Sequence, residues 1–329
     1  MSVFPDQAAP AAPVAEPDFL PLQVVRKEVA AQDIFLFELR HPAGAALPPF
    51  TPGAHLTVQV PSGVRRNYSL CGDPADTSHY LIAVKRDARG RGGSVSMADD
   101  VQAGQTLMVS APRNNFELAE RAPEFIFVAG GIGITPILSM MRQLRRDGRG
   151  FQLYYCTRDP GTTAFLEQVQ ADFPGQVQVH HDHGDIERAL DLWPVFETPG
   201  AAHVYCCGPR GLMDSVADMS GHWPSGSVHF ESFGVDARAH AENRPFRVRL
   251  SRDGRTLDVA ADQTILEALR GQGLRVPSSC ESGTCGSCKT RLLAGEAEHR
   301  DMVLSDEEKA DHIMVCVSRA VSPELVLDL

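Results

Sequence analysis

The sequence predicts a multidomain fold: an antiparallel β-barrel, then an α/β domain on a parallel sheet, then a small α+β unit. Three observations carry this. At 329 residues the chain is too long for one typical core. Short strands divided by turn residues fill the first third, and near Pro123 they give way to strands alternating with helices. Four of the eight cysteines then gather at Cys280, Cys285, Cys288 and Cys316, in a segment with its own hairpin and short helix.

In the first segment, 19–121, "AHLTVQV" places Leu56, Val58 and Val60 on one face. Similar runs occur at "IFLFELR", "YLIAVKR" and "QTLMVS", which together suggest a small antiparallel barrel. In the second, 122–234, "EFIFVAG" is a buried-type strand, and "TPILSMMRQLRR" has helical spacing, with Thr135 expected to cap it and Pro136 to open it. "FQLYYCT", "VQVHHD" and "HVYCCG" supply further strands, with helices at "TAFLEQVQAD" and "GLMDSVADM". A polar stretch, 235–244, reads as a linker. In the third, 245–329, Asp253-Gly254 turns a hairpin, and Thr264 with Glu267 makes a capping box for a helix closed by Gly271 or Gly273. Ser305 and Glu308 repeat the box before Cys316.

Composition narrows the function. An apolar fraction of 43% and a charged fraction of 22% are ordinary for a globular protein. The Ala/Pro-rich composition of residues 1–18 reads as a flexible tail without the pattern of a secretory leader, and no long apolar run suggests a membrane span. The expected location is cytoplasmic, where clustered thiols are metal ligands more often than disulfides. A net charge of −11 argues against a nucleic-acid partner. Residues 296–311 hold seven carboxylates (Glu296, Glu298, Asp301, Asp306, Glu307, Glu308, Asp311), either a solvated face or a docking surface.

The cysteine spacing is Cys-x4-Cys-x2-Cys-x27-Cys. It is a poor zinc pattern, since zinc favours paired knuckles, and it fits a plant-type [2Fe–2S] centre with three thiolates from one loop and the fourth expected from a remote strand. Gly283 and Gly286 allow the loop to wrap a compact cluster with its amides turned toward sulfur. With "TILEALR" ahead of it, the segment resembles the plant-type ferredoxin family, which implies a β-grasp fold with Cys280, Cys285, Cys288 and Cys316 as cluster ligands.

A one-electron carrier needs an electron source. "RRNYSL" puts a cation, a ring and a hydroxyl on neighbouring strand positions: Arg66 for a phosphate, Tyr68 along a flavin, Ser69 as a hydrogen-bond donor. Gly92-Gly93-Ser94 offers an anion nest. Taken singly these are also an ordinary strand and an ordinary turn; together they resemble the ferredoxin–NADP reductase superfamily. "VAGGIGITPILSM" runs a strand through glycines into a helix N-terminus suited to pyrophosphate, and "CCGPRGLM" repeats that logic. "HHDHGD" reads as a polar loop.

The order barrel, nucleotide domain, C-terminal ferredoxin is that of the phthalate dioxygenase reductase family, which the chain resembles over nearly its whole length after the tail. The resemblance implies FMN held by Arg66, Asn67, Tyr68, Ser69, Ala83, Val84, Lys85, Arg91, Gly92, Gly93 and Ser94. It places Thr135 by the flavin edge, Cys207 facing the nicotinamide and Phe233 stacked near the ring. Gly130, Gly131, Gly133, Gly208 and Pro209 would serve NADH. Arg158 hints at a 2′-phosphate and NADPH, but the resemblance favours NADH, with Asp159 or Asp182 on the ribose.

The implied route runs from NADH through FMN and [2Fe–2S] to a Rieske-type oxygenase. Plant-type clusters sit near about −400 mV and Rieske centres at about −150 mV or higher, so passage outward is downhill by ~250 mV. At ~59 mV per decade that is about four powers of ten. The partner's aromatic substrate is phthalate by likeness alone, with an O-demethylase or another aromatic-acid oxygenase as alternatives. A stand-alone NADH:acceptor flavin reductase and a redox-sensing binding module are the other classes, and a sensor would not need a hydride entry site. The expected state is a monomer.

Overall fold

The computed structural model describes residues 19–90, 92–233 and 243–329. The expected tail, Arg91 and most of the expected linker lie outside the described residues. Among the described residues three large sheets follow one another along the chain.

The first sheet has six antiparallel strands in the order β4-β3-β6-β1-β2-β5. They are β1 (Phe19–Ala31), β2 (Ile34–Arg40), β3 (His55–Gln59), β4 (Arg65–Ser69), β5 (Tyr80–Lys85) and β6 (Thr106–Ser110). Pairing irregularities in β1 bend it so that its first residues pair with β6 and the remainder with β2. An isolated bridge between Leu70 and Ile82 brings the end of β4 alongside β5 and closes the barrel. Leu56, Val58 and Val60 point inward with Leu22, Phe37 and Ile82, as the alternation predicts. A helix absent from the sequence reading, α1 (Gly93–Asp100), plugs one end with Met97. Lys27 Nζ ties off its C-terminal end, donating to Ala98 O at 2.6 Å and Val101 O at 2.8 Å.

The second sheet is parallel, ordered β11-β10-β7-β8-β9. Its strands are β7 (Phe125–Gly130), β8 (Phe151–Thr157), β9 (Val177–His181), β10 (His203–Cys207) and β11 (Val228–Glu231). The helices are α2 (Ile134–Arg146), α3 (Leu166–Asp172), α4 (Trp193–Phe196) and α5 (Arg210–Met219). The α2 N-terminus differs from expectation. Its N-cap is Gly133, and the Thr135 hydroxyl donates back to Ile132 O at 3.0 Å instead of capping. Pro136 is third in the helix, where its missing N–H leaves no intrahelical bond unmade. Barrel residues Ile34, Leu36, Cys71 and Ala83 share one buried cluster with Phe127, Leu138, Tyr155 and Cys207, so barrel and parallel sheet are fused through a common core.

The third sheet, β13-β12-β18-β14-β16, has a core of its own around Val248, Ile265, Leu269, Ile313 and Leu325. It uses β12 (Phe246–Leu250), β13 (Thr256–Val259), β14 (Lys289–Ala294), β16 (His312–Met314) and β18 (Glu324–Leu327), and β15 (Ala297–Glu298) pairs with β17 (Arg319–Ala320) beside it. The parallel pairing of β12 with β18 across a packed helix, α6 (Ile265–Gly271), gives the expected β-grasp arrangement. Both capping boxes form, at α6 and at the short α7 (Asp306–Lys309). Arg319, buried over the Phe246 ring, donates to Arg244 O, Ala260 O and Gln263 O and binds β17 to the entry strands.

On the parallel sheet, His229 stacks on Tyr205 with ring centroids 4.4 Å apart, and its Nε2 lies 3.0 Å from His203 Nδ1. Burial, with His203 beside it, lowers the His229 pKa from 6.5 to about 4. Below pH 6.5 the unfolded chain takes up a proton that the folded chain refuses. The unfolding free energy therefore falls as pH drops from about 6.5 toward 4, and His229→Gln should flatten that slope in urea titrations at stepped pH.

Candidate functional site

The parallel strand order reverses between β7 and β10, because the chain returns from β9 across β7 before laying down β10 and β11. Such a switch point opens a crevice at the carboxyl ends of the strands, where ligands bind. Both glycine turns found in the sequence end there. A Cβ on Gly133 would lie 2.0 Å from Cys207 O, one on Gly130 2.5 Å from Pro209 Cδ, and one on Gly208 2.9 Å from Gly130 Cα. Only glycine permits this approach, which aligns the amides opening α2 and α5 on one crevice. Gly131 sits at φ +54° with open space around it.

Barrel strand β4 faces the same region. Its exposure alternates, with Ser69 buried and Tyr68 half-buried. The Tyr68 hydroxyl is buried with no hydrogen-bond partner, and burial pushes its pKa up to about 12. An orphaned donor of this kind fits a polar ligand over the strand. Arg66 crosses the start of α1, where a Cβ on Gly93 would come within 2.6 Å of Arg66 Nε. Gly92, at φ +79°, is the α1 N-cap, so the expected anion nest is the first turn of a helix with a guanidinium beside it. Ser94 Oγ accepts from Asp87 N at 3.1 Å, which holds the loop and leaves the backbone amides to a phosphate.

Other residues expected at the flavin lie differently. Val84 points into the barrel core, Ala83 into the shared cluster, and Lys85 is exposed, so the first two can offer a ligand only backbone. The Asn67 amide accepts from Thr57 Oγ1 at 2.8 Å and donates to Ser279 O at 3.3 Å, which turns it toward the cysteine loop. Phe233 is 46% exposed. Thr135 and Cys207 are buried.

Glu231, which the sequence reading passed over, closes β11 beside this set. Ser69 Oγ donates to Glu231 Oε2 at 3.3 Å, linking barrel to parallel sheet at the crevice. Burial pushes the Glu231 carboxyl up to about 8, well above the usual carboxylate range. Burial, then Glu231, pushes the Cys207 thiol well above its ordinary range. The available signal was a carboxylate ending the short strand "VHFE".

The "HHDHGD" side chains disperse. His180 Nε2 lies 2.7 Å from Arg188 O, His181 Nδ1 2.9 Å from Thr157 Oγ1, and His183 Nδ1 2.7 Å from Asp159 Oδ1.

The four thiols come together as two pairs, Cys280 with Cys285 and Cys288 with Cys316, each sharing an S–H···S contact. That contact draws Cys280 and Cys288 below the ordinary thiol range and raises their partners. Among the described residues no three His, Cys, Asp or Glu converge as ligands of a single ion. Two pairs instead match a dinuclear group with two thiolates per iron. The backbone suits it. Amides of Ser282 and Thr284 face the Cys280 sulfur, and that of Gly283 faces Cys316. Gly283 is at φ +79°, and a Cβ there would strike Val317 Cγ2 at 2.7 Å. The acidic run is less uniform than its sequence: the Asp301 side chain is fully buried, while Glu298 pairs with Arg300 and Glu308 with Lys289.

Loop and crevice adjoin. Asn115 Nδ2 donates to Ser279 Oγ at 2.6 Å, and Ser282 Oγ to Ser232 O at 2.8 Å. Arg210 Nη1 donates to Arg300 O at 2.9 Å, and Met302 packs against the parallel-sheet core.

Comparison with known proteins agrees with this geometry. An oxidoreductase FAD-binding domain model matches residues 21–118, an oxidoreductase NAD-binding domain model 127–218, and a 2Fe-2S iron-sulfur cluster binding domain model 248–321. The chain is 61% identical over 314 residues to the phthalate 4,5-dioxygenase oxygenase reductase subunit of Pseudomonas putida, covering 94% of this chain and 97% of that one. It is 40% identical over 307 residues to a vanillate O-demethylase oxidoreductase of a Pseudomonas strain, covering 92% and 97%. A solved phthalate dioxygenase reductase, described as modular for electron transfer from pyridine nucleotides to [2Fe-2S], superposes with a TM-score of 0.74 at 60% identity over 94% of this chain and 98% of that one. No helix among the described residues is long and apolar enough to cross a membrane. With flavin, NAD and [2Fe–2S] units in one chain, the protein belongs to the phthalate dioxygenase reductase family of electron-transfer oxidoreductases that serve oxygenases.

Proposed function

We propose that the chain is the NADH-dependent reductase of a Rieske-type aromatic-ring oxygenase acting on phthalate, with units over 19–121, 122–234 and 245–329. The observation that carries this reading is the meeting of three features at one crevice: the paired glycine turns of β7 and β10, the Tyr68–Ser69 strand, and the loop around Cys280. The greater identity to the phthalate enzyme, 61% against 40%, favours phthalate over an O-demethylation partner. The same likeness favours FMN over FAD. A cytoplasmic monomer is the state that accompanies this reading.

When bound, the flavin supplies the exchange of one hydride for single electrons, and the [2Fe–2S] centre carries those onward. The chain's own residues bind and orient. Arg66 and the amides opening α1 hold the phosphate, and Tyr68 gains the partner its hydroxyl lacks. Gly130, Gly131, Gly133, Gly208 and Pro209 admit the dinucleotide backbone at the strand switch. Thr135 and Cys207 would border the nicotinamide, and Phe233, exposed just after β11, would stack near the flavin ring. Ser69 and Glu231, both buried and hydrogen-bonded to each other, present a polar wall to the crevice. Cys280 with Cys285, and Cys288 with Cys316, would ligate the cluster, and loop amides would stabilise the sulfur charge.

Two outcomes test this. Cys288→Ala should lose the iron–sulfur absorbance and reduce oxygenase only at background, while NADH still reduces the flavin and ferricyanide; a variant that retains oxygenase reduction sinks the ligand assignment. The exposed carboxylates of the 296–311 run, Glu296, Asp306, Glu307 and Asp311, suit a basic region of the oxygenase. Oxygenase reduction should therefore slow severalfold as ionic strength rises from about 0.01 to 0.15 M and the screening length contracts from ~30 to ~8 Å. A rate flat across that range removes the acidic surface from the docking site.

A further inference from the structure

We propose that Asn115 is a positioning residue for electron transfer into the iron–sulfur unit: its amide holds Ser279, and through Ser279 the neighbouring Cys280, against the barrel. The proposal rests on the reading above, in which the barrel carries the flavin and Cys280 ligates the cluster.

The barrel and parallel sheet share a buried apolar cluster, whereas the third unit keeps its core to itself. Of its apolar side chains, Met302 packs against the neighbouring core. The hold on the cysteine loop is thus largely polar. Ser279 is gripped twice from the barrel, at its hydroxyl by Asn115 Nδ2 at 2.6 Å and at its carbonyl by Asn67 Nδ2 at 3.3 Å. Cys280 follows Ser279 directly in the chain.

Asn115 is well placed to set a distance because its loop is rigid. On one side Asn114 donates to Thr51 Oγ1 at 2.7 Å and Pro52 O at 2.8 Å. On the other, Phe116 is buried edge-on against Tyr205, with ring centroids 5.3 Å apart. Arg113 pairs with His55 through both backbone bonds, at 2.8 and 3.0 Å. A side chain presented between such fixed neighbours transmits position, and losing its single neutral bond shifts the docked population without dismantling the unit.

Each transfer moves one electron out of reduced flavin and one into the cluster, with NADH as the source of both electrons. The test is stopped-flow mixing of holoprotein with NADH, following flavin and cluster absorbance separately. In Asn115→Ala the flavin should be reduced at the wild-type rate and the cluster about fivefold more slowly, the weight of one neutral hydrogen bond. Ser279→Ala should reproduce the delay, and the double variant should be no slower than either single one. Amide hydrogen exchange at 279–282 should rise by about the same factor in Asn115→Ala, with the paramagnetic signature and potential of the cluster unchanged. An unaltered cluster rate in both single variants overturns the proposal, as does a slowed flavin phase or a shifted cluster potential in Asn115→Ala. Should Asn115→Ala not fold, Ser279→Ala alone decides. A wild-type cluster that stays oxidised after NADH has reduced the flavin overturns the underlying reading, and the proposal with it.

Discussion

Two peptide segments that would ordinarily be kept apart by side chains lie backbone to backbone where β7 and β10 end, and the rest of the site is arranged around that approach. Gly133 has Cys207 O at the place where a Cβ would be, and Gly130 and Gly208 face each other across the same seam. Because two parallel strands deliver these turns side by side, the free amides of α2 and α5 open on one crevice. The barrel then needs only to present β4 to it, which the Ser69–Glu231 bond and the shared core accomplish.

The burial pattern divides the molecule by kind of contact. Hydride entry requires two ligand sites fixed to within a fraction of an ångström, and there the two units are fused through buried apolar surface. Single-electron passage makes no bonds, and the unit that performs it is attached largely through polar contacts, with Met302 packed against the neighbouring core. The strongest geometric demand coincides with the shared apolar core.

Much of this was legible in the sequence, for physical reasons that differ by element. β3 was legible because a half-buried strand must alternate, and both capping boxes because helix starts leave donors that Thr264 and Ser305 must satisfy. The cysteine loop was legible because cluster geometry fixes its spacing. Helix α1 was not, since "GSVSMADD" has weak periodicity and its start is set by Gly92 and by Met97 plugging the barrel. Thr135 has the residue type of a cap, but the turn at 131–133 moves the helix start forward and leaves the hydroxyl to Ile132. Glu231, Asn115 and the split of Asn67 between Thr57 and Ser279 depend on contacts between segments far apart in the chain, which local pattern does not encode.

The self-contained core of the third unit has a thermal consequence. Val248, Leu269 and Leu325 are buried within that unit alone, and Phe127 and Tyr155 within the core the other two units share. Heat absorption on warming will therefore divide into a component for the C-terminal unit and one for the two fused units, so a single melting temperature does not describe this chain.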